Sequence, residues 1–284
     1  MHAFKIVPGN QVELCTLASS LKGWLVPPTL RPKLIAFYTQ FKLLTPARKL
    51  FDIIPKSNIR GWVAVIGSYA RHGFYEETMS MFVKMQREGL RCDRIVLPSV
   101  LKACGHLCDW NTGEELHAVI LKNEFESDAF VMTALIDMYS KCGAVEKAKR
   151  VFDGMVEKDL VALNAVVSGY VQNGVVTEAL SLVEEMKIMG VKPDVVTWNT
   201  LIAGFSQAKN KLAVEKIFRI MYEDGVKPDV VSWTSVITGF VQNFAEQGGI
   251  WYFSTNVGCW VVSNFSHNWW YFACYCKYSR STAW

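Results

Sequence analysis

The chain repeats one pattern of apolar and polar positions. An apolar segment with helical spacing comes first, then a short polar turn, then a second amphipathic segment. In the first segment of one copy the apolar residues are Leu201, Ile202 and Phe205. In the second segment of another copy they are Ala179, Leu182, Val183 and Met186. Apolar residues three and four apart lie on one face of a helix, so each copy is predicted to be a hairpin of two amphipathic helices.

These copies follow one another in register. The positions equivalent to Asn199, called marker positions below, are separated by 31, 35, 35, 31, 35 and 35 residues. They are Pro32, Val63, Pro98, Thr133, Asn164, Asn199 and Thr234. A period between 20 and 50 residues is typical of stacked arrays, because one hairpin cannot bury its apolar face alone. The sequence therefore predicts an all-α solenoid with a continuous core and a groove.

Glycine and proline mark the ends of the copies. Gly190 and Gly225 suit a left-handed helix terminus, and Pro193 and Pro228 follow three residues later as stops. We expect the array to occupy residues 30–243, as about six full repeats and a truncated seventh. Residues 1–29 are acid-poor, and two interpretations stay open for them, a partial repeat or a targeting leader.

The pattern breaks down in residues 244–284. No Asp, Glu, Lys or Arg occurs from Gln247 to Cys276, a stretch long enough to cross a membrane. Polar residues at its centre, including Asn256, Asn264 and His267, would be costly in hydrocarbon and argue against a membrane span. Read one base out of frame, with free choice among synonymous codons, the stretch can encode a further repeat. We therefore expect an aberrant, unstructured tail derived from a frameshift or mis-spliced transcript, which sequencing the transcript would test.

Three motifs point to a known family. They are Asn-Ala-Val-Val-Ser-Gly-Tyr at 164–170, Val-Lys-Pro-Asp at 191–194 and 226–229, and Ala-Leu-Ile-Asp-Met-Tyr-Ser-Lys-Cys-Gly at 134–143. Over roughly residues 30–243 the chain resembles the pentatricopeptide repeat family of RNA-binding proteins. The opening motif of the related tetratricopeptide repeats is absent. The alternation of 31 and 35 residues resembles the plant subfamily that mixes standard, long and short repeats (PLS-type). The resemblance implies a right-handed superhelix.

The resemblance also implies which residues bind RNA. In the family, each repeat recognises one base through its marker residue and the residue that closes the repeat. Carried onto this chain, Thr133 with Asp159 implies guanine. The pairs Asn164 with Asp194 and Asn199 with Asp229 imply uracil and, less strongly, cytosine. The expected core target is thus G-U-U or a pyrimidine variant of it. Val161 and Val196, three residues before their markers, are expected to sandwich the base.

A purely structural interpretation of the same residues stays open. Asn or Thr near the start of a helix, and Asp just before it, are common helix caps. The remaining repeats depart from the expected pairing, because Pro32, Val63 and Pro98 offer no polar side chain at the marker position. Thr234 has lost its closing partner. We therefore leave the bases of these repeats unassigned.

Composition narrows the class of protein further. With 51% hydrophobic and 20% charged residues, the chain is neither a disordered polyelectrolyte nor a membrane bundle, and its net charge of +4 permits a polyanionic partner. The eight cysteines form no secreted disulfide framework, so we expect reduced thiols. Cys104, His106, Cys108 and His117 look metal-like but match no regular zinc spacing. No catalytic motif is present. We predict a non-enzyme without metal or cofactor.

The expected function is therefore sequence-specific binding of single-stranded RNA in organelle RNA metabolism, through editing, splicing, stability or processing. Expected partners are single-stranded RNA and RNA-editing or processing proteins, with no membrane. The resemblance implies a mitochondrion or a chloroplast, with the mitochondrion slightly favoured. The alternative is a protein-interaction α-solenoid scaffold whose groove binds a peptide or a partner protein.

Overall fold

A computed structural model describes residues 31–52, 59–208 and 210–235. The predicted N-terminal segment 1–29 and the predicted tail 244–284 lie outside these residues. Every element of regular structure described is helical. The α-helices are α1 Arg31–Gln40, α2 Leu44–Asp52, α3 Ile59–Arg71, α4 Tyr75–Arg87, α5 Leu97–Leu107, α6 Trp110–Lys122, α7 Ala129–Lys141, α8 Val145–Gly154, α9 Leu160–Gln172, α10 Val176–Ile188, α11 Val195–Gln207 and α12 Lys211–Glu223. A 3-10 turn covers Phe125–Ser127, and a further helix begins at Val230.

The chain divides into two compact units, residues 1–157 and 158–284. In the first unit α1, α3, α5 and α7 each pack against the following helix of their own hairpin. They also pack in sequence against one another, α1 on α3, α3 on α5 and α5 on α7. The second unit repeats this arrangement, because α9 and α11 pack together and each packs against its own hairpin partner. The predicted all-α solenoid fold is confirmed.

Left-handed residues connect the helices, as predicted for the two repeats that end in Gly190 and Gly225. Their φ angles are +90° and +76°, a conformation that glycine adopts without a steric penalty. The turn between α5 and α6 differs. There Cys108 adopts a φ of +53°, whereas the equivalent turn between α7 and α8 uses Gly143. A cysteine that had looked like a metal ligand therefore occupies a helix-turn position.

The core of each unit is built from the apolar stripes that the spacing predicts. In α11 the side chains of Trp198, Leu201 and Ile202 are fully buried, and in α12 those of Val214 and Ile217 are too. Burying a side chain of this size stabilises the fold by roughly 1.5–3 kcal/mol relative to leaving it exposed. Helix pairing is thus driven by the apolar faces, and the opposite faces stay available for a ligand.

Candidate nucleic-acid interface

The marker asparagines lie on the second turn of the first helix of their hairpins. Asn164 is the fifth residue of α9 and Asn199 the fifth residue of α11. The caps are instead the aspartates before these helices. Asp159 Oδ1 accepts a hydrogen bond from the Ala162 N–H at 2.8 Å, and Asp194 Oδ1 accepts one from the Thr197 N–H at 2.9 Å. The closing aspartates therefore do cap helices, and the marker asparagines are free to serve another purpose.

The structure brings Asn164 and Asp194 together. Asn164 Nδ2 donates to Asp194 Oδ1 at 3.4 Å, although the two residues are thirty positions apart. A third residue joins them, because the Thr197 hydroxyl donates to Asn164 Oδ1 at 2.6 Å. Thr197 also accepts from the Asp194 N–H at 3.3 Å, which completes a capping box. A marker residue, the Asp that closes its repeat and a hydroxyl of the next repeat form one hydrogen-bonded cluster.

The next repeat contains the same cluster. Asn199 Nδ2 donates to Asp229 Oδ1 at 3.0 Å, and the Ser232 hydroxyl donates to Asn199 Oδ1. The Ser232 N–H donates to Asp229 Oδ1 at 2.8 Å, and the Asp229 N–H donates to the Ser232 hydroxyl at 3.0 Å. Two successive repeats therefore hold the marker amide in the same way.

The third predicted pair is divided between the two units. Thr133 is the fifth residue of α7 in the first unit, and Asp159 is the N-cap of α9 in the second. Their pairing stays a prediction. In the long repeat Pro98 is buried, so it presents no group to a ligand. Asp93 Oδ1 nevertheless accepts from the Ile95 and Val96 N–H groups at 3.1 and 3.0 Å, in the turn before α5.

The closing aspartates of the two repeats with asparagine markers, Asp194 and Asp229, have lowered pKa values. Burial pushes the pKa of Asp194 upward, but the hydrogen bonds from Thr197 and Asn164 outweigh it, so the pKa falls below its ordinary value. For Asp229 the backbone hydrogen bond from Ser232 is the largest cause, followed by the side-chain bond from Asn199, and the pKa is again lowered. At neutral pH both side chains are therefore carboxylates, which accept hydrogen bonds and cannot donate them.

Large apolar side chains are exposed beside the markers. Val161 and Val196, the predicted sandwich residues, are the second residues of α9 and α11. The same offset, three residues before the marker, also holds exposed apolar residues that the sequence interpretation missed. These are Ile95, Phe130 and Val231. All five are between 53% and 72% exposed. The same spacing, three residues before the marker, predicts the other three residues from the sequence when it is applied to their copies.

The residues considered as a zinc site have other contacts. Cys104 is fully buried in α5, His106 stacks on the Tyr75 ring with centroids 4.2 Å apart, and His117 Nδ1 lies 2.8 Å from the Tyr139 hydroxyl. Burial lowers the pKa of both histidines. In the ranges that the structure describes, no group of three His, Cys, Asp or Glu side chains could hold a metal ion. Nor does any helix there have the length and apolar character needed to cross a bilayer.

Helical hairpins packed side by side, with one marker on each first helix, define a helical-repeat protein. Models described as PPR repeat match residues 61–90, 130–160 and 161–191, and a model described as pentatricopeptide repeat domain matches residues 181–243. The chain belongs to the pentatricopeptide repeat family.

Similar proteins are known in Arabidopsis thaliana. Pentatricopeptide repeat-containing protein At5g59600 is 48% identical over 161 residues, which cover 57% of this chain and 30% of that protein. The chloroplastic protein At4g25270 is 35% identical over 178 residues, covering 60% of this chain and 34% of the relative. The putative mitochondrial protein At3g13770 is 32% identical over 177 residues, covering 62% and 28%. The chain thus spans about a third or less of the length of these relatives.

Solved structures with similar chains include the pentatricopeptide repeat protein PPR10 in complex with an 18-nt psaJ RNA element. It has a TM-score of 0.44 and 20% identity, covering 80% of this chain and 39% of that one. The nuclear protein-only RNase P 2 of Arabidopsis thaliana has a TM-score of 0.47 and 10% identity, covering 64% and 42%.

Proposed function

We propose that this chain binds single-stranded RNA, one base per repeat, and acts by occupying the RNA rather than by catalysis. The observation that carries the proposal is the repeated cluster of Asn, Asp and hydroxyl in the second unit. Each cluster lies beside an exposed valine, Val161 or Val196. A polar group of fixed orientation next to an apolar surface suits a flat heterocycle with hydrogen-bonding edges.

The hydrogen-bond inventory of the cluster leaves groups for a base. A carboxamide has two N–H donors and two acceptor lone pairs. At Asn164 one amide N–H donates to Asp194, and one lone pair of the amide oxygen accepts from the Thr197 hydroxyl. One N–H and one lone pair remain. The uracil edge offers a carbonyl acceptor and an N–H donor, which complement them. The same inventory applies at Asn199 and supports the U-U part of the G-U-U target that we propose.

The exposed apolar residues supply the stacking surface. Packed helices lie roughly 8–10 Å apart, so valines on neighbouring first helices leave room for a base between them. Stacking contributes on the order of 1–3 kcal/mol per base. A protein-binding groove would instead present a contiguous apolar patch. Here the five copies from Pro98 to Thr234 each expose one large apolar side chain three residues before the marker, which favours RNA over the scaffold alternative.

Basic residues recur at the same edge of the repeats. Lys192 and Lys227 are exposed and stand two residues before Asp194 and Asp229, and exposed Arg91 stands two residues before Asp93. Each supplies one positive charge to its own repeat, which suits a ligand with one phosphate per nucleotide, whereas Glu126 and Glu157 hold this position in the repeats closed by Asp128 and Asp159. We propose that these side chains contact the RNA backbone, which predicts that affinity falls as salt rises.

We place this activity in plant organelle RNA metabolism, in a mitochondrion or a chloroplast. Names of relatives such as the chloroplastic At4g25270 and the mitochondrial At3g13770 support that assignment. Editing, splicing, stabilisation and processing all require a protein that occupies one RNA sequence. Editing or processing proteins would then be the further partners.

A binding titration tests the proposal. The full chain is mixed at fixed salt with fluorescent single-stranded RNAs that carry G-U-U or G-A-A in an otherwise identical sequence. We expect tighter binding to G-U-U, and loss of that preference in the double variant Asn164→Ala, Asn199→Ala. The matched control is Asn111→Ala, an exposed asparagine on α6. A preference that survives in the double variant, or no binding to any RNA, would contradict the proposal.

A further inference from the structure

We propose that Thr197 and Ser232 are positioning residues for base recognition, each orienting the marker amide of the preceding repeat. This inference rests on the proposed function. The two ends of an amide have nearly the same shape, yet one donates and the other accepts hydrogen bonds. A rotation of Asn164 by half a turn about its last bond would exchange them and would present the wrong pattern to the base. Selective recognition therefore needs a lock on that rotation.

The hydroxyl provides the lock on the oxygen side. The Thr197 hydroxyl has a single proton and donates it to Asn164 Oδ1 at 2.6 Å, which is shorter than its separation of 3.0 Å from Asp194 Oδ1. The carboxylate provides the lock on the nitrogen side by accepting from Nδ2. In the flipped amide, Oδ1 would face the carboxylate oxygen, and two acceptors would repel each other. The same two contacts hold Asn199.

Water does not substitute for these hydroxyls. The side chains of Thr197 and Ser232 are both fully buried, although each contacts a marker residue at the surface. A buried hydroxyl is costly unless it forms hydrogen bonds, and both do so with the asparagine and with the Asp backbone. The orientation of the amide is thus set by the protein before any RNA arrives.

Capping alone does not explain why a hydroxyl is present. The residue three positions after the closing Asp is Thr197 or Ser232 in the two repeats that follow an asparagine marker. In the repeats that follow Val63, Pro98 and Thr133 it is Val96, Val131 or Ala162. The backbone N–H groups of these three residues still donate to Asp93, Asp128 and Asp159, and Asp128 and Asp159 are the N-caps of α7 and α9. In this chain the hydroxyl accompanies the asparagine rather than the cap.

The test uses the full chain and RNAs that differ in one base. Thr197→Val removes the hydroxyl with little change of shape, whereas Thr197→Ser keeps the hydroxyl and removes only the methyl group. We expect Thr197→Val to lower the preference for U over A by about five-fold at the base assigned to Asn164 only, since one hydrogen bond is worth about 1 kcal/mol. Ser232→Ala is expected to do the same only at the base assigned to Asn199. Thr197→Ser is expected to behave as the unmodified protein.

The matched control is Thr200→Val. This threonine lies on the same helix, but its hydroxyl bonds to its own backbone, at Val196 O. Thermal unfolding of every variant separates a structural effect from a positioning effect. Equal base preference in Thr197→Val and the unmodified chain, or an equal loss at both bases that follows thermal stability, would overturn the inference. If the unmodified chain shows no base preference at all, the proposed function itself is overturned.

Discussion

Gly204 allows α11 to approach its neighbours closely, and this predicts the effect of adding one methyl group. A Cβ built on Gly204 would lie 2.8 and 3.0 Å from the two Val171 methyl groups and 3.0 Å from Val176 Cγ1. Both valines are β-branched, so neither can swing away freely. Because the added methyl group meets side-chain atoms from both α9 and α10, Gly204→Ala requires the helices themselves to move apart.

Two opposing effects set the magnitude. Overpacking a buried site costs roughly 1–3 kcal/mol. Replacing glycine by alanine inside a helix returns about 1 kcal/mol. The expected net change is therefore a destabilisation of up to about 2 kcal/mol. If the valines adjust, the two effects cancel and the change is close to zero. For a chain of this size, 1 kcal/mol corresponds to roughly 2–4 °C in the midpoint of thermal unfolding.

Gly67 in α3 is the matched control. A Cβ there would meet Ser99 Oγ at 3.6 Å, which is ordinary van der Waals contact. Gly67→Ala should therefore keep the gain in helix propensity and stabilise the protein by up to about 1 kcal/mol. The same Gly→Ala substitution is expected to change the free energy of unfolding in opposite directions at the two sites, or by amounts that differ by at least about 1 kcal/mol.

Thermal unfolding followed by circular dichroism measures the difference, and amide hydrogen exchange locates it. Gly204→Ala should speed exchange in α9 to α12, because opening of that unit becomes easier. If Gly204→Ala raised the midpoint as much as Gly67→Ala does, the close approach of α11 to Val171 and Val176 would be refuted.

Three further predictions concern the core, the stacking surface and pH. Trp198 is fully buried, so Trp198→Ala should destabilise the second unit by about 3–5 kcal/mol in thermal unfolding; its Nε1 has no hydrogen-bond partner among the described residues, so Trp198→Phe should cost clearly less. Phe130 is 72% exposed, so Phe130→Ala should leave the unfolding midpoint unchanged while weakening RNA binding by roughly 1–3 kcal/mol in the same titration; equal affinity would argue against stacking there. The lowered pKa values of Asp194 and Asp229 mean that their contribution to stability is fully present above the ordinary carboxyl pKa and is lost only as the pH falls through the lowered values. Base preference should therefore stay constant from pH 8 to about pH 5, and a loss between those values would contradict the assignment.

Much of the fold could be predicted because its signals are local. The period of the marker positions predicted the order of the hairpins that the structure describes. Gly190 and Gly225 predicted the helix ends, because few other residues adopt a positive φ without strain. The pairs Asn164 with Asp194 and Asn199 with Asp229 were predicted from the family resemblance, and the structure places each pair within hydrogen-bonding distance.

Other features depend on contacts that no single repeat shows. The hydroxyls of Thr197 and Ser232 look like ordinary capping residues until the preceding hairpin is packed against them. Cys108 resembled a metal ligand in the sequence, yet its backbone forms the left-handed turn that glycine forms elsewhere. Its spacing to Cys104 and His106 therefore followed from the helix–turn geometry rather than from coordination.

The cluster around each marker also determines where this chain could exchange repeats with another. Asn164, Asp194 and Thr197 come from two successive hairpins, so a crossover in the turn after α9, or just before Asp194, would combine an amide with foreign partners. Only a junction between Thr197 and Asn199 leaves the clusters on both sides intact. The segment that must be exchanged as a whole to preserve base preference therefore runs from one marker to the third residue of the first helix in the following hairpin. Its ends do not coincide with the ends of a hairpin in the fold.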